Sequence, residues 1–267
     1  MDEQTVARYW DENTTSWTEG VRAGHDIYRE HVNNPAFFKM LPDLTEKTVL
    51  DVGCGEGYNT RLFADLGAIV TGVDISSNMI EAAREHEQQH NRGTNYIVTS
   101  GTDLSMFGDA SFDMVLSTMA LMDMPNYTGC IREISRVIKP NGYFQFSIVH
   151  PCSMTRSWKW LGDETNPKQY MRISNYFSLM KPEKEDEISE WYFSGIDAEI
   201  RNKATKFRVP DFYRTLSEYF NALVNSGFIV NKLVEPFADE NSAKHFPGIA
   251  ETRNIPYFLV FQCNKAG

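Results

Sequence analysis

Short apolar runs alternate with amphipathic segments between residues 48 and 149. The runs "TVLDVG", "AIVTGVD" and "FDMVLSTMA" are rich in apolar and β-branched residues, as expected of strands that are buried on both faces. Between them, "NTRLFADLG" and "YTGCIREISRVI" carry apolar residues at helical spacing. Strands that alternate with helices predict right-handed crossovers, and therefore a mostly parallel sheet with helices on both faces.

The same alternation predicts further elements on either side of this pattern. "NYIVTS" and "YFQFSIV" complete a set of five strands, and "SSNMIEAAREHEQQH" is typical of a helix. Towards the C-terminus, Thr215 and Glu218 have the capping-box spacing at the start of the helical segment "TLSEYFNALVNSGF". The segments "FIVNKLVEP" and "PYFLVFQCN" then predict two strands that pair antiparallel at the end of the sheet. The expected fold is a doubly wound α/β sheet, which binds ligands at the carboxyl ends of its strands.

Two regions of the chain do not follow this alternation of strands and helices. Residues 1–44 predict N-terminal helices, and residues 152–210 combine tryptophans and tyrosines with an acidic run. Aromatic residues at this density must bury a surface, which favours an inserted cap over a linker. We therefore expect a single domain over residues 1–267, with a helical lid at 1–44 and a cap at 152–210 that meets the substrate.

The amino-acid composition limits the classes of molecule that this chain is expected to bind. Hydrophobic residues make up 42% and charged residues 23% of the chain, which is ordinary for a soluble protein, and the net charge is −10. Such a chain gains little from phosphate neutralisation, so nucleic acid is not expected as a partner. The four cysteines are far apart and form no C-x-x-C pair, and no apolar run approaches the roughly 20 residues of a membrane span. We expect a cytoplasmic protein with a small-molecule partner, no membrane and no metal; the oligomeric state stays open.

The stretch "LDVGCGEG", residues 50–57, holds the strongest chemical signal. Its spacing is G-x-G-x-G, unlike the G-x-G-x-x-G of dinucleotide sites, with Asp51 before the glycines, Glu56 among them and no basic residue. A diphosphate beside these carboxylates would cost several kcal/mol at roughly 4–6 Å, whereas an ammonium group would be stabilised. The loop therefore favours an adenosine ligand without phosphates and with a positive end. Cys54 lies between acids that raise a thiol pKa, so we interpret it as a small packing residue.

Two further acids follow the next two strands. Asp74 ends the second strand about 20 residues after the loop, where a carboxylate accepts both hydroxyls of a ribose. Nicotinamide enzymes also use an acid there, so Asp74 indicates a nucleoside without choosing between ligands. Asp103, after the third strand, is placed to meet the exocyclic amine of an adenine, with Leu104 packing on the base.

Four segments in this order resemble the class I S-adenosylmethionine-dependent methyltransferases, in particular the small-molecule branch: "VLDVGCGEG", "VTGVDIS", "SGTDLSMFGDASFDMVLS" and "REISRVIKPNGYFQFSIVHP". The resemblance covers about residues 45–151. It implies a seven-stranded sheet with a reversed last strand, S-adenosyl-L-methionine (SAM) as cofactor with S-adenosyl-L-homocysteine (SAH) as product, and in-line methyl transfer to an oxygen, nitrogen or carbon of a small molecule. The cofactor residues that it implies are Asp51, Gly53, Cys54, Gly55, Asp74, Ile75, Asp103, Leu104, Ser117 and Met119.

Candidate catalytic residues are few. Relatives often carry a histidine pair after the position of Ser117, where this chain has "STMALMDMPN". Holding the nucleophile in line with the methyl group is worth up to roughly 7–11 kcal/mol, so the chemistry tolerates this loss. His150, at the end of the fifth strand, is the remaining candidate base; alternatively it fixes the turn before Pro151 by hydrogen bonds.

Five residues outside the motifs are candidate substrate contacts, although each of them is also compatible with a purely structural role: Tyr9, Tyr28, Arg29, Tyr213 and Arg214. Two other functions remain open at this point. A nicotinamide-dependent oxidoreductase is disfavoured by the glycine spacing and the loop acids. A non-catalytic SAM-binding module is not excluded by an intact loop, because the loop serves binding alone.

Overall fold

The computed structural model describes residues 1–153, 159–165, 169–174, 176–177, 187–196 and 204–266. Part of the predicted cap at 152–210 therefore lies outside the described residues. The strands are β1 (Thr48–Val52), β2 (Ile69–Asp74), β3 (Asn95–Val98), β4 (Phe112–Thr118), β5 (Ile138–Val149), β6 (Lys159–Leu161), β7 (Tyr170–Arg172), β8 (Glu187–Trp191), β9 (Phe207–Asp211), β10 (Phe228–Val234) and β11 (Phe258–Lys265).

Seven α-helices are found in the described part of the chain: α1 (Glu3–Arg22), α2 (Asn34–Met40), α3 (Tyr58–Asp65), α4 (Ser77–His90), α5 (Tyr127–Val137), α6 (Leu216–Asn225) and α7 (Glu240–His245). A π-helical segment, Arg29–Asn33, precedes α2, and 3₁₀ segments span Leu121–Asp123 and Pro247–Arg253. Within the described ranges, none of the helices has the length and apolar character that a membrane crossing requires.

The central sheet has seven strands in the order β10-β11-β5-β4-β1-β2-β3. Strand β11 runs antiparallel to both of its neighbours, while the pairs from β5 to β3 are parallel. The predicted doubly wound sheet with a reversed last strand is thus confirmed. Strand β5 begins at Ile138 instead of at Tyr143, because the turn residues Pro140–Gly142 form an irregularity within the strand, where the register against β4 shifts.

Two apolar cores cover the faces of the sheet. On one face, side chains of α5 and α6 such as Ile131, Ile134 and Leu223 pack on Phe144 and Phe146. The core on the other face is formed by Phe37, Leu44, Val49, Phe63, Val70, Met114, Leu116, Tyr143 and Val260. Each such buried side chain contributes about 1.5–3 kcal/mol relative to an exposed one. Burial on both faces explains why the central strands appear as continuous apolar runs in the sequence.

Helix α1 crosses the carboxyl edge of the sheet and is held there by polar side chains. The buried Asn13 amide donates to the Arg208 carbonyl and accepts from the Arg208 N–H, both at 3.0 Å. It thus makes the two backbone hydrogen bonds to β9 that a residue of a neighbouring strand would make. At the N-terminus of α4, Asp11 accepts from the Ser76 hydroxyl at 2.6 Å and from the Asn78 N–H at 3.0 Å. Helix α1 and the β8–β9 hairpin therefore form one layer above this edge.

Gly57 opens α3 in the left-handed region, with φ of 82°. A Cβ here would lie 2.6 Å from the Tyr96 hydroxyl oxygen and under 3 Å from its ring. We expect Gly57→Ala to lower the free energy of unfolding by about 2 kcal/mol, measured by urea denaturation. Gly227→Ala is the matched control, because its φ is also 82° but a Cβ there meets nothing within 4 Å. Equal losses in the two variants would contradict the steric part of this expectation.

Candidate functional site

A cavity of about 640 Å³ opens where β1, β2 and β4 end. Its described lining comes from the sheet edge, from α1, from the π-helical segment and from the β8–β9 hairpin. The aromatic lining residues are Trp10, Trp17, Tyr28, Tyr58, Trp191, Tyr192, Phe193, Tyr257 and Phe258. The acidic ones are Glu3, Asp26, Asp51, Glu56, Asp74, Asp123, Asp211 and Glu251, whereas Arg29 is the one lysine or arginine in the described lining. The cavity is large enough for a nucleoside and a second small molecule.

The chain passes the end of β1 through three glycines with positive φ, namely Gly53 (74°), Gly55 (55°) and Gly57 (82°). The N–H groups of Gly53 and Cys54 both donate to the Val73 carbonyl, at 2.8 and 3.0 Å, which fixes the turn against β2. A Cβ on Gly53 would overlap the side chain of Ala120, so this position requires glycine. Gly55 lines the cavity, and a Cβ there would meet no atom within 4 Å. The backbone of the turn at Gly55 therefore faces the open cavity, where a ligand could approach it closely.

Asp74 joins this turn to the start of α4. Its Oδ2 accepts from the Gly55 N–H and its Oδ1 from the Ser76 N–H, both at 2.9 Å. The carboxylate lines the cavity next to Ile75. Burial raises the pKa of Asp74, and the backbone hydrogen bonds oppose that effect. A carboxylate held by two backbone donors has a fixed orientation, as a hydroxyl-binding group needs.

Asp51 is buried in the floor of the cavity, where its Oδ2 accepts from the Thr60 hydroxyl at 2.6 Å. Burial raises its pKa to about 7; the Thr60 hydrogen bond lowers it and the Asp74 charge raises it further. In the cofactor-free protein, Asp51 is thus partly protonated near neutral pH.

This raised pKa predicts a pH dependence of stability. Because the folded-state pKa exceeds the unfolded value of about 3.9, the contribution of Asp51 to stability is fully present below pH 4 and is lost as pH rises through 7. Relative to the isosteric Asp51→Asn variant, the cofactor-free wild type should lose at least about 1 kcal/mol of unfolding free energy between pH 5 and pH 8. Urea denaturation at several pH values measures the difference, and parallel profiles would contradict the assignment.

Glu56, in contrast, is already neutralised. Its buried carboxylate forms ion pairs with Arg61 at 2.8 Å and with Arg22 at 3.0 Å, and Arg61 also donates to the Glu56 carbonyl at 2.6 Å. The sequence argument against a phosphate ligand relied on two acids of this loop. Glu56 has two cationic partners, whereas Asp51 has none in the described part of the chain. The pairing of Glu56 with Arg22 was not predicted from the sequence, because Arg22 lies in α1, 34 residues before Glu56.

The remaining predicted cofactor residues divide into two groups. Cys54 and Met119 line the cavity; burial raises the pKa of the Cys54 thiol well above its usual value, and the Met119 N–H donates to the Ser147 carbonyl at 3.0 Å. Ser117, Asp103 and Leu104 are not among the lining residues.

The last three residues have other contacts. The buried Ser117 hydroxyl donates to the Val52 carbonyl at 2.7 Å and so joins β4 to β1. Asp103 is exposed, and its carboxylate accepts from the Ser105 N–H at 3.2 Å. Leu104 is fully buried in the core, and its N–H donates to Glu133 at 3.1 Å. The structure thus brings Asp51, Asp74 and the glycine turn together but leaves Asp103 outside the cavity lining.

His150, the candidate base, is buried at the end of β5 and does not line the cavity. Its Nε2 lies 3.1 Å from Glu235 Oε1, and its Nδ1 accepts from the Cys152 N–H at 3.2 Å. Burial lowers its pKa, while Glu235 acts in the opposite direction. These contacts correspond to the alternative that the sequence left open, in which His150 fixes the turn before Pro151.

Two of the five candidate substrate contacts line the cavity. The Tyr28 hydroxyl lies 2.9 Å from Glu251 Oε1, and the Arg29 guanidinium stacks at 4.0 Å over the Tyr58 ring. Arg29 Nε is buried and has no hydrogen-bond partner among the described residues, although Asp26 Oδ2 lies 3.9 Å away.

The other three lie outside the lining. Tyr9 is half-buried beneath the guanidinium groups of Arg8 and Arg208, and Tyr213 is also half-buried. Arg214 is buried, and its terminal nitrogens donate to the carbonyls of Leu121, Met122, Met124 and Pro125. It therefore holds the loop after β4 in place.

Five acidic lining residues were missed by sequence reasoning: Glu3, Asp26, Asp123, Asp211 and Glu251. Asp123 was detectable, because it lies in "STMALMDMPN" directly after β4, at the ligand-binding edge of the sheet. Asp211 and Glu251 follow no recognisable motif, and they reach the cavity through long-range packing alone.

Comparison with known proteins gives concordant results. A family model described as "Methyltransferase domain" matches residues 50–146. A protein named "Ubiquinone biosynthesis O-methyltransferase" from Coxiella burnetii is 36% identical over 203 residues, which cover 73% of this chain and 82% of the relative. One of the same name from Xanthomonas oryzae pv. oryzae is 38% identical over 165 residues, covering 60% and 68%. The crystal structure of an S-adenosylmethionine-dependent methyltransferase from Mesorhizobium loti matches with a TM-score of 0.68 and 25% identity, over 86% of this chain and 96% of that one.

Proposed function

The chain belongs to the class I S-adenosylmethionine-dependent methyltransferases, and from this premise we propose that it methylates a hydroxyl oxygen of a small molecule bound in the 640 Å³ cavity. Methyl transfer from SAM is the activity of the family, so the oxidoreductase considered from the sequence is set aside. The choice of oxygen is supported by the name of the two relatives, which specifies an O-methyltransferase. The cavity supports a small acceptor, because its volume is typical of a site for drug-sized ligands.

The residues of the cavity fit SAM. The open side of Gly55 leaves room for a ligand against the backbone, and Asp74 presents a carboxylate in a fixed orientation. Arg29, whose buried Nε has no hydrogen-bond partner among the described residues, is suited to the cofactor carboxylate, and Asp51 is suited to its ammonium group. We assign the methionine portion to Asp51, Gly53, Gly55 and Arg29, and the ribose to Asp74. When bound, SAM supplies an electrophilic methyl group on a sulfonium.

The contribution of the chain itself is to position the acceptor and to exclude water. Helix α1 and the β8–β9 hairpin lie over the edge of the sheet, and Trp10 and Trp17 of α1 line the cavity beneath them. We propose that residues 1–44 act as a lid and that the insertion at 152–210 contributes the cap. A lid and a cap that cover the site strengthen electrostatic contacts inside it and keep water from competing as an acceptor. His150 is assigned to holding the end of β5, since both of its ring nitrogens are engaged outside the cavity lining.

One observation carries the proposal: the glycine turn, Asp74 and a second wall of aromatic and acidic residues share a single cavity. The test is incubation with SAM carrying an isotopically labelled methyl group and a panel of small phenols, catechols and alcohols, with mass spectrometry of the products. The O-methyl ethers of the same compounds serve as controls. We expect label in ether products from the hydroxylated compounds and none from the controls. SAH binding without any labelled product would favour the binding module, and label on nitrogen or carbon alone would overturn the choice of oxygen.

A further inference from the structure

A polar patch interrupts the aromatic wall of the cavity at the base of the β8–β9 hairpin. Asp123, in the 3₁₀ segment after β4, and Asp211, at the end of β9, both line the cavity, and the charge of Asp211 acts directly on Asp123. Ser189 of β8 also lines the cavity, and its hydroxyl donates to Asp211 Oδ2 at 2.5 Å. Two carboxylates from distant parts of the sequence thus meet on one wall.

The Asp123 carboxylate has no hydrogen-bond donor among the described residues, although only 8% of the residue is exposed. Arg214 is the cation that acts on it, but its terminal nitrogens donate to four backbone carbonyls of the neighbouring loop. The guanidinium therefore supplies charge without a hydrogen bond. A buried carboxylate in this condition is costly. Its desolvation and the adjacent Asp211 both raise its pKa, as expected of a group that lacks a partner.

The other acids of the lining already have partners or assigned roles. Glu56 pairs with Arg61 and Arg22, and Asp26 lies beside Arg29. Glu3 accepts from the Thr102 hydroxyl at 2.7 Å, and Glu251 is bonded to the phenols of Tyr28 and Tyr257. Asp51 and Asp74 are assigned to the cofactor. Among the lining acids not assigned to the cofactor, Asp123 is thus the one without a hydrogen-bond donor in the described part of the chain, and Asp211, which accepts from Ser189, lies beside it.

The two carboxylates of this patch favour acceptors with a positive charge over acceptors with a negative charge. An anionic acceptor would approach two carboxylates on this wall, and Arg29, the one arginine in the described lining, is assigned to the cofactor, so the acceptor would be repelled. A cation placed between the carboxylates removes their mutual repulsion and gives Asp123 the donor that it lacks. Trp191, Tyr192 and Phe193 of the same hairpin line the cavity as well, and aromatic faces stabilise ammonium groups.

We propose that Asp123 and Asp211 bind a protonated amine on the acceptor, so that the substrate class is a hydroxylated amine. The inference deepens the proposed function and rests on it for the presence of an acceptor in this cavity. It predicts that the positive charge contributes to binding of the acceptor while the hydroxyl receives the methyl group.

The test compares three phenols of similar size by calorimetry with the enzyme–SAH complex: tyramine (cationic), 4-ethylphenol (neutral) and 3-(4-hydroxyphenyl)propanoate (anionic). We expect tyramine to bind about tenfold more tightly than either of the others. Asp123→Asn and Asp211→Asn should each weaken tyramine binding by about tenfold and leave 4-ethylphenol binding within about twofold. Asp109→Asn, which changes a carboxylate with 79% side-chain exposure paired to Arg136, is the matched control.

The outcomes separate the two proposals. Undiminished SAH affinity in the Asp123 and Asp211 variants shows that they retain a folded cofactor site. The inference is overturned by tighter binding of the anionic phenol, by absence of tyramine binding to the wild type, or by a charge preference that persists in both variants. If tyramine binds with this preference but no hydroxyl in the labelled-methyl panel is methylated, the assignment of an oxygen acceptor fails and the charge selectivity stands.

Discussion

Asp74→Ala is expected to weaken SAH binding by about 2–3 kcal/mol, or about 30- to 150-fold. The carboxylate accepts hydrogen bonds from the N–H groups of Gly55 and Ser76 and lines the cavity. Its removal therefore takes away the acceptor for the ribose hydroxyls and at the same time releases the glycine turn from the start of α4. Calorimetric titration of SAH into the purified variant measures the loss.

The informative control is Asp103→Ala. Sequence reasoning assigned Asp103 to the adenine, but its carboxylate is exposed and bonded to the Ser105 N–H outside the cavity lining. We expect this variant to bind SAH within about twofold of the wild type. Unchanged affinity in Asp74→Ala would overturn the ribose assignment, and a large loss in Asp103→Ala would restore the adenine contact predicted from the sequence.

The largest effect on stability is expected for Arg61→Met. Arg61 neutralises the buried Glu56 at 2.8 Å and also donates to the Glu56 carbonyl, so the variant leaves a buried carboxylate with only the half-exposed Arg22. Removing one partner of a buried ion pair costs roughly 3–5 kcal/mol, and we expect the free energy of unfolding to fall by about 3 kcal/mol because Arg22 remains. Urea denaturation with circular dichroism measures the change.

Two further variants show whether the loss arises from the unpaired charge. Arg92→Met removes the more exposed ion pair with Asp65 and should cost less than about 1 kcal/mol. The double variant Arg61→Met with Glu56→Gln removes both charges and should recover part of the stability. If Arg61→Met and Arg92→Met are equally mild, Glu56 does not depend on Arg61.

The central sheet was predictable because its strands are buried on both faces, which leaves continuous apolar runs between amphipathic helices. The antiparallel pairing of β10 with β11 was also predicted, although α7 and the 3₁₀ segment Pro247–Arg253, which were not predicted, lie between the two strands. The hairpins β6–β7 and β8–β9 were not predicted, because "KWL", "YMR" and "EISEW" are short. The position of the β8–β9 hairpin depends on its packing against α1, which local sequence does not encode.

In the candidate site as well, some features are encoded in the local sequence and others depend on tertiary packing. Gly55 of the glycine turn and Asp74 are only 19 positions apart, so both could be recognised from the local sequence pattern. The pairing of Glu56 with Arg22, in contrast, depends on where α1 packs, and this contact alters the electrostatic interpretation of the loop. The contacts of His150 with Glu235 likewise depend on the approach of a distant segment. Charges can be read from a sequence, but their compensation is a tertiary property.

The hydrogen bonds of Arg214 also bear on the order in which the site assembles. The contact between Gly55 and Asp74 spans 19 residues, whereas those from Arg214 to the loop after β4 span about 90 and the Asn13–Arg208 pair spans 195. Contacts of short sequence separation form early in folding, and long-range contacts form late. During synthesis, Gly55 and Asp74, which we assign to the methyl donor, are therefore able to pair well before Arg214 is added to the chain. A nascent chain that ends before residue 214 contains these two residues but lacks the arginine that holds the loop after β4.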